Sequence, residues 1–211
     1  MRYYTADLHL NSGNVIKWFH RKFSTVLKMN DVLINNINIR CKTTDTLIHV
    51  GDFAVVGNEK GVDNQRIHPN VHISNINSNL ILIKGNHDDS NRVKYHAQYI
   101  MTDIGDDSEN ISDPNSVTYM KTNMGKLIRN VSIGHYPSYN SNATGQFVKN
   151  SIRICGHVHN AWKYCWDRKN DVLNINVGCD VWNYMPVSET DLIIYINKLQ
   201  TTLNHTWTGC E

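Results

Sequence analysis

Five short segments of this 211-residue chain carry side chains able to hold a metal ion: Asp7-x-His9, Gly51-Asp52, Gly85-Asn86-His87-Asp88, Gly134-His135 and Gly156-His157-x-His159. Carboxylate, imidazole and amide carbonyl form the donor set of first-row divalent metals with mixed nitrogen and oxygen coordination. Three Asp/Asn and four His can hold two ions, with one carboxylate bridging them. Two ions roughly 3.5–4 Å apart form the usual clamp for phosphoryl chemistry, stabilising both the attacking and the leaving oxygen. In shuffles of this composition Gly-Asn-His-[Asp/Glu] is expected about once in a hundred and Gly-His-x-His about once in thirty, so the composite outweighs any single piece.

Each residue also has a plainer reading. His20, His68, His72, His96 and His205 read as surface or hydrogen-bonding histidines, and His49 as packing inside a strand. Asp7 and Asp52 suit turns or caps, and Asp88 suits the N-cap of a following helix. Trp162, Trp166 and Trp182 read as core or pocket wall.

The elements that must position these loops follow from periodicity. Strands are expected at Arg2–Thr5, Thr46–Val50, Leu80–Ile83, Ser151–Cys155, Val172–Val177 and Leu192–Ile196. A hairpin is expected from Val117–Met120 and Lys126–Ile133 about Asn123-Met124-Gly125. Helices are expected at Asn14–Phe19, Ser24–Arg40, within Gly61–Ile76 where Pro69 should end or restart the helix, and at Ser90–Ile100. Helices thus dominate the first half and strands the second. Five strands each end at one of the polar segments, and strand C-termini converge on the ligand crevice of open α/β sheets.

Composition narrows the function. Hydrophobic residues make up 40% and charged residues 19%, within the globular range. A net charge of +2, from 21 Lys/Arg against 19 Asp/Glu, offers no basic stripe for long nucleic acid. Neither a membrane span nor an N-terminal apolar signal region is legible. Five irregularly spaced cysteines argue against a disulfide framework and for a reducing cytoplasm.

The ordered set of five motifs resembles the calcineurin-like metallophosphoesterase superfamily, from residue 5 to about residue 187. Asn176-Val-Gly-Cys-Asp-Val-Trp-Asn-Tyr-Met-Pro-Val187 further resembles the C-terminal stretch of small single-domain members from bacteria and their phages. The resemblance implies one domain over residues 1–211, an α/β fold of four layers, α/β/β/α, with two mixed sheets. It implies a bacterial or phage-infected host cytoplasm. It also implies that Asp7, His9, Asp52 and His159 hold one ion and Asp52, Asn86, His135 and His157 the other, so Asp52 bridges. Manganese leads among the candidate ions, with iron, zinc, nickel and cobalt as alternatives. His87 then matches the catalytic histidine and Asp88 the acid that orients it. Small relatives read Asp-x-His-x-x-His at the first motif, where this chain has Ser12, which unsettles only the substrate.

The expected activity is phosphoester hydrolysis by a hydroxide bridging the two ions. A phosphodiester of nucleotide size, including a cyclic or short oligonucleotide, is the expected substrate. Tyr136-Pro-Ser-Tyr-Asn-Ser-Asn-Ala-Thr-Gly-Gln146 offers tyrosine faces and amides for a base and sugar, or is an ordinary surface loop. Arg153 is the only Arg or Lys from residue 150 to 160, few for a monoester dianion. A phosphomonoesterase or phosphoprotein phosphatase is the alternative, and a non-catalytic scaffold of the same fold the remaining one.

Overall fold

β1 (Arg2–Thr5), β2 (Thr46–Val50) and β3 (Asn79–Ile83) are short, apolar and bounded by polar loops, and they pair in parallel. The computed structural model describes residues 1–55, 67–88, 97, 99–101, 131–141 and 149–203. β4 (Tyr99–Met101) extends the sheet beside β3, and β9 (Val187–Ser188) closes its other edge antiparallel to β1. The order is β4-β3-β2-β1-β9.

A second sheet has the order β5-β6-β8-β7, built from β5 (Val131–Ile133), β6 (Ser151–Cys155), β7 (Tyr164–Asp167) and β8 (Val172–Asn176). β7 is antiparallel to β8 and the other pairs are parallel. Both sheets are therefore mixed.

Alternation along the strands assigns their faces. Ile48, Val50, Ile81 and Ile83 of the first sheet and Ile133, Ile152, Ile154, Leu173 and Ile175 of the second form one buried cluster between the sheets. Leu47, Leu80 and Leu82 point the other way, against α2 (Val26–Arg40). That helix buries Val26, Met29, Leu33, Ile34 and Ile37, the stripe of an amphipathic helix. Thr25 caps it, its hydroxyl accepting from the Lys28 amide at 3.2 Å. α1 (Asn14–Trp18) and α3 (Pro69–Ser74) add Val15 and the half-buried Ile73 to the same layer.

The outer face of the second sheet is polar yet buried. Arg153 donates from Nε to the Tyr136 carbonyl, and Asn174 holds Ser138 through its amide. Cys155, Cys165 and Trp162 form a small cluster there, so Trp162 is core. Trp166 and Trp182 are half-buried against the inter-sheet cluster. A helical layer on this face is not among the described residues.

Several expectations need correction. Leu192–Ile196 is not a strand but part of α4 (Glu189–Leu203). Ser188 decides it: its hydroxyl accepts from the Asp191 amide and donates to the Asp191 carboxylate, an N-terminal cap that outweighs five apolar residues in a row. Leu192, Ile196 and Leu199 then recur on one helical face, and Tyr195 of α4 meets Tyr164 of β7. Residues 99 and 100, expected to end a helix, begin β4; residues 90–96 lie outside the described residues, as does the hairpin before residue 131. Pro69 opens α3 at its first turn, where its missing N–H costs nothing. β7, β4 and β9 were too short or too polar to stand out. Cys41, Cys155 and Cys179 are free buried thiols. Among the described residues no helix is long and apolar enough to cross a membrane.

Candidate metal centre

The strand ends converge through backbone pairing of their loops. The Asp7 amide donates to the Gly51 carbonyl and the His9 amide to the Asp52 carbonyl, both at 3.0 Å. The Gly156 amide donates to the His135 carbonyl, and Ala6 bridges Gly178. Ser12 is buried, its amide closing a turn onto the His9 carbonyl.

All seven candidate ligands meet here. Asp7, His9 and His159 form one trio, and Asp52, His135 and His157 another; within each the ligand atoms lie within 4.8 Å of one another. Asp52 Oδ2 is 3.3 Å from both His9 Nε2 and His135 Nε2, equally close to a histidine of each trio. Asn86 Oδ1 lies 3.1 Å from His135 Nε2 and from His157 Nδ1. His87 is exposed, its ring 4.8 Å from that of His9, and it forms a third trio with His9 and Asp52.

Five of the seven, Asp7, His9, Asp52, His157 and His159, have positive φ. Asp, Asn and His tolerate the left-handed region better than most, yet it still costs roughly 1–2 kcal/mol per residue. Among the described residues six further non-glycine residues share this conformation, but these five come from three separate loops that meet at one place, which the rest of the fold must hold together.

Asp88 ties two loops of the centre together. Its carboxylate accepts from the amides of Asp52, Phe53 and Gly85 at 2.7, 3.0 and 2.9 Å, pinning the Asp52 loop to the Gly85 turn. Burial and the Asp52 charge push its pKa up to about 6 against those three amides. His72, read as a surface or hydrogen-bonding residue, is buried with Nε2 2.9 Å from Asn11 Oδ1. His49 is fully buried edge-on to Phe53, as packing requires. Of the 136–146 segment, Tyr136 lies edge-on to His135 and His157, while the Tyr139 hydroxyl accepts from Trp162 Nε1; residues 142–146 lie outside the described residues.

The residues fit divalent ions on the structure's own terms. Burial draws the His9 pKa down to about 4 despite Asp52, so its imidazole is neutral at pH 7. Its Nε2 is buried without a hydrogen-bond partner while facing a carboxylate oxygen, an arrangement a shared cation relieves. Burial would raise the Asp52 carboxyl, but His135 and His9 hold it well below its ordinary value. Nδ1 of His135 donates to the Val50 carbonyl at 2.9 Å, which leaves Nε2 facing Asp52 as the nitrogen that could ligate an ion.

No family model matches the chain. The uncharacterized protein MJ1445 of Methanocaldococcus jannaschii is 26% identical over 209 residues, covering 96% of each chain. Among solved structures, the protein of unknown function AQ665 from Aquifex aeolicus matches 92% of this chain and 98% of its own with a TM-score of 0.57 at 21% identity. The two-sheet α/β fold is shared.

Two residues of the centre escaped sequence reasoning. Arg21 follows α1 with no motif around it, and Asp180 sits inside the Asn176–Val187 stretch without being singled out. Arg21 is buried and pairs with Asp180, which in turn meets His159. Phe19 stacks on the His159 ring at 3.5 Å.

Close packing makes glycine obligatory at the turn beside Asp52. A Cβ on Gly85 would lie 2.2 Å from Asp52 Oδ1 and 2.5 Å from its backbone nitrogen. Gly85→Ala is therefore expected to cost about 1–3 kcal/mol, the scale of overpacking, and to disturb both trios through Asp52. Urea denaturation and manganese titration check this, and unchanged values in both would refute the packing argument.

The centre also predicts an inversion with pH. Burial opposes the charged form of His135, but the hydrogen bond and charge of Asp52, with the Asp7 charge, outweigh it and raise its pKa to about 9. In the metal-free protein this stabilisation is complete below about 6.5, the unfolded value, and is lost as pH rises through 9. Metal uptake must displace that proton, so apparent affinity should climb about tenfold per pH unit up to pH 9. Thermal melts of metal-free and manganese-loaded protein between pH 6.5 and 9 should move in opposite directions. Parallel curves would show that His135 does not exchange its proton for metal.

Proposed function

We propose that the chain is a hydrolase of phosphodiesters of nucleotide size that depends on two divalent ions, with the two-sheet core arranged as in the metallophosphoesterases. The observation that carries this reading is the pair of ligand trios meeting at Asp52, with the orphaned His9 Nε2 between them. Asp7, His9, Asp52 and His159 would hold one ion, and Asp52, Asn86, His135 and His157 the other. When bound, the ions supply Lewis-acid neutralisation of phosphoryl charge and an acidified water.

The chain's own residues do the rest. His87, exposed beside His9, is placed to hydrogen-bond a phosphoryl oxygen or to protonate the leaving oxygen at one ring nitrogen. Tyr136 and Phe19 pack against histidines of the two trios and border the centre with aromatic surface. The Arg21 and Arg153 guanidinium groups donate to backbone carbonyls, which favours a singly charged diester over a monoester dianion.

Manganese-reconstituted protein should turn over bis-(nitrophenyl) phosphate faster than nitrophenyl phosphate, and cyclic dinucleotides faster than phosphopeptides. Preference for the monoester and phosphopeptide would overturn the substrate class. No turnover of either with two ions bound would overturn hydrolysis itself.

A further inference from the structure

Arg21 and Asp180 touch Asp7 and His159, two members of the Asp7/His9/His159 trio, without belonging to it. Nε and Nη2 of Arg21 donate to the two Asp180 oxygens at 2.7 and 2.9 Å, a two-pronged fork. The same guanidinium donates from Nη2 to the Asp7 carbonyl at 2.6 Å and from Nη1 to the Leu8 carbonyl at 2.8 Å. Asp180 Oδ2 is 3.0 Å from His159 Nδ1. An ionised carboxylate only accepts, so the proton of a neutral His159 sits on Nδ1 and its Nε2 lone pair stays open. Phe19, stacked at 10° to the His159 ring, fixes the ring plane.

A buried ion pair is weak evidence for stability, because well-packed apolar residues often serve as well. This pair instead joins two chain segments more than a hundred and fifty residues apart and aims a proton at one chosen nitrogen. We propose that Arg21 and Asp180 are positioning residues for the first metal site: Asp180 selects the ligating tautomer of His159, and Arg21 locks Asp180 to the Asp7 loop. The proposal rests on the metal reading above for its ion, and on hydrogen bonding alone for its tautomer. It also gives Asp180 of the Asn176–Val187 stretch a task. Asn176 supports it, its amide donating to the carbonyls of His159 and Trp162, and its Oδ1 accepting from the Gly178 amide.

The test uses the full chain. Nitrogen-15 imidazole NMR of metal-free protein should show His159 protonated at Nδ1, and Asp180→Asn should shift that population toward Nε2. Manganese titration by calorimetry should show two sites in the wild type. In Asp180→Asn one of them should weaken by about 10–100-fold, the range for lost carboxylate support of a ligating histidine, while the other is unchanged. Arg21→Lys, which keeps charge but loses the fork, should weaken the same site and serves if Asp180→Asn folds poorly. Adding Asp180→Asn to His159→Gln should cause no further loss. Unchanged affinities with an unchanged tautomer would overturn the proposal, as would equal weakening of both sites, the mark of a merely structural role. A wild type that binds no manganese would instead overturn the metal reading, and the tautomer of His159 would still decide the pairing.

Discussion

Asp52→Asn should abolish two-ion binding and lower phosphodiester turnover by several orders of magnitude. Asp52 is 2% exposed, and one oxygen lies 3.3 Å from a histidine of each trio. Its other oxygen accepts the His87 amide at 2.8 Å, which asparagine can preserve. The substitution therefore removes the charge shared by both trios while keeping shape and the contact to the His87 loop. Neutralising it should also release His135 from its raised pKa, since Asp52 is the chief support of that proton once burial is set against it. Metal analysis should find fewer than two ions per chain at concentrations that saturate the wild type. Full activity with one ion per chain in either protein would end the shared-carboxylate account. Near-UV circular dichroism separates loss of metal from loss of fold.

The site was legible because its chemistry sits where the backbone changes character. Asp52, Asn86, His135 and His157 follow apolar strands through a glycine, and Asp7 and His9 follow β1 directly, so residue type and strand end could be read together. The convergence itself was not derivable from any one strand; it needs Gly51 at φ +90, whose Cβ would otherwise strike the His135 ring. Arg21 and Asp180 were hidden for a different reason. Their importance lies in a long-range contact, and neither residue type is unusual in its own segment. The fold shows the same division. β1, β2 and β6 match their expected bounds, because each is a short apolar run between polar loops. Leu192–Ile196 misleads because five apolar residues carry no period, and the deciding Ser188 cap lies outside the run.

His87→Ala is the sharpest separation of chemistry from coordination at this centre. The position is ambiguous by distance, since a His87 ring nitrogen lies within 4.8 Å of the ligand atoms of His9 and Asp52. Exposure and neighbours argue for catalysis. His87 is open to solvent, whereas His9, His135 and His159 are buried. Asn86 beside it already offers its oxygen to the second trio, and adjacent side chains on a tight turn point apart. The variant should hold both ions with wild-type affinity yet lose turnover by about 10²–10⁴-fold, the contribution of a positioned general acid. The loss should be largest for alkyl diesters and cyclic dinucleotides, whose alkoxide leaving groups need a proton. It should shrink toward unity for bis-(nitrophenyl) phosphate, whose nitrophenolate departs unaided. A uniform loss across leaving groups would reassign His87 to binding the phosphoryl oxygens, and loss of one ion would make it a ligand.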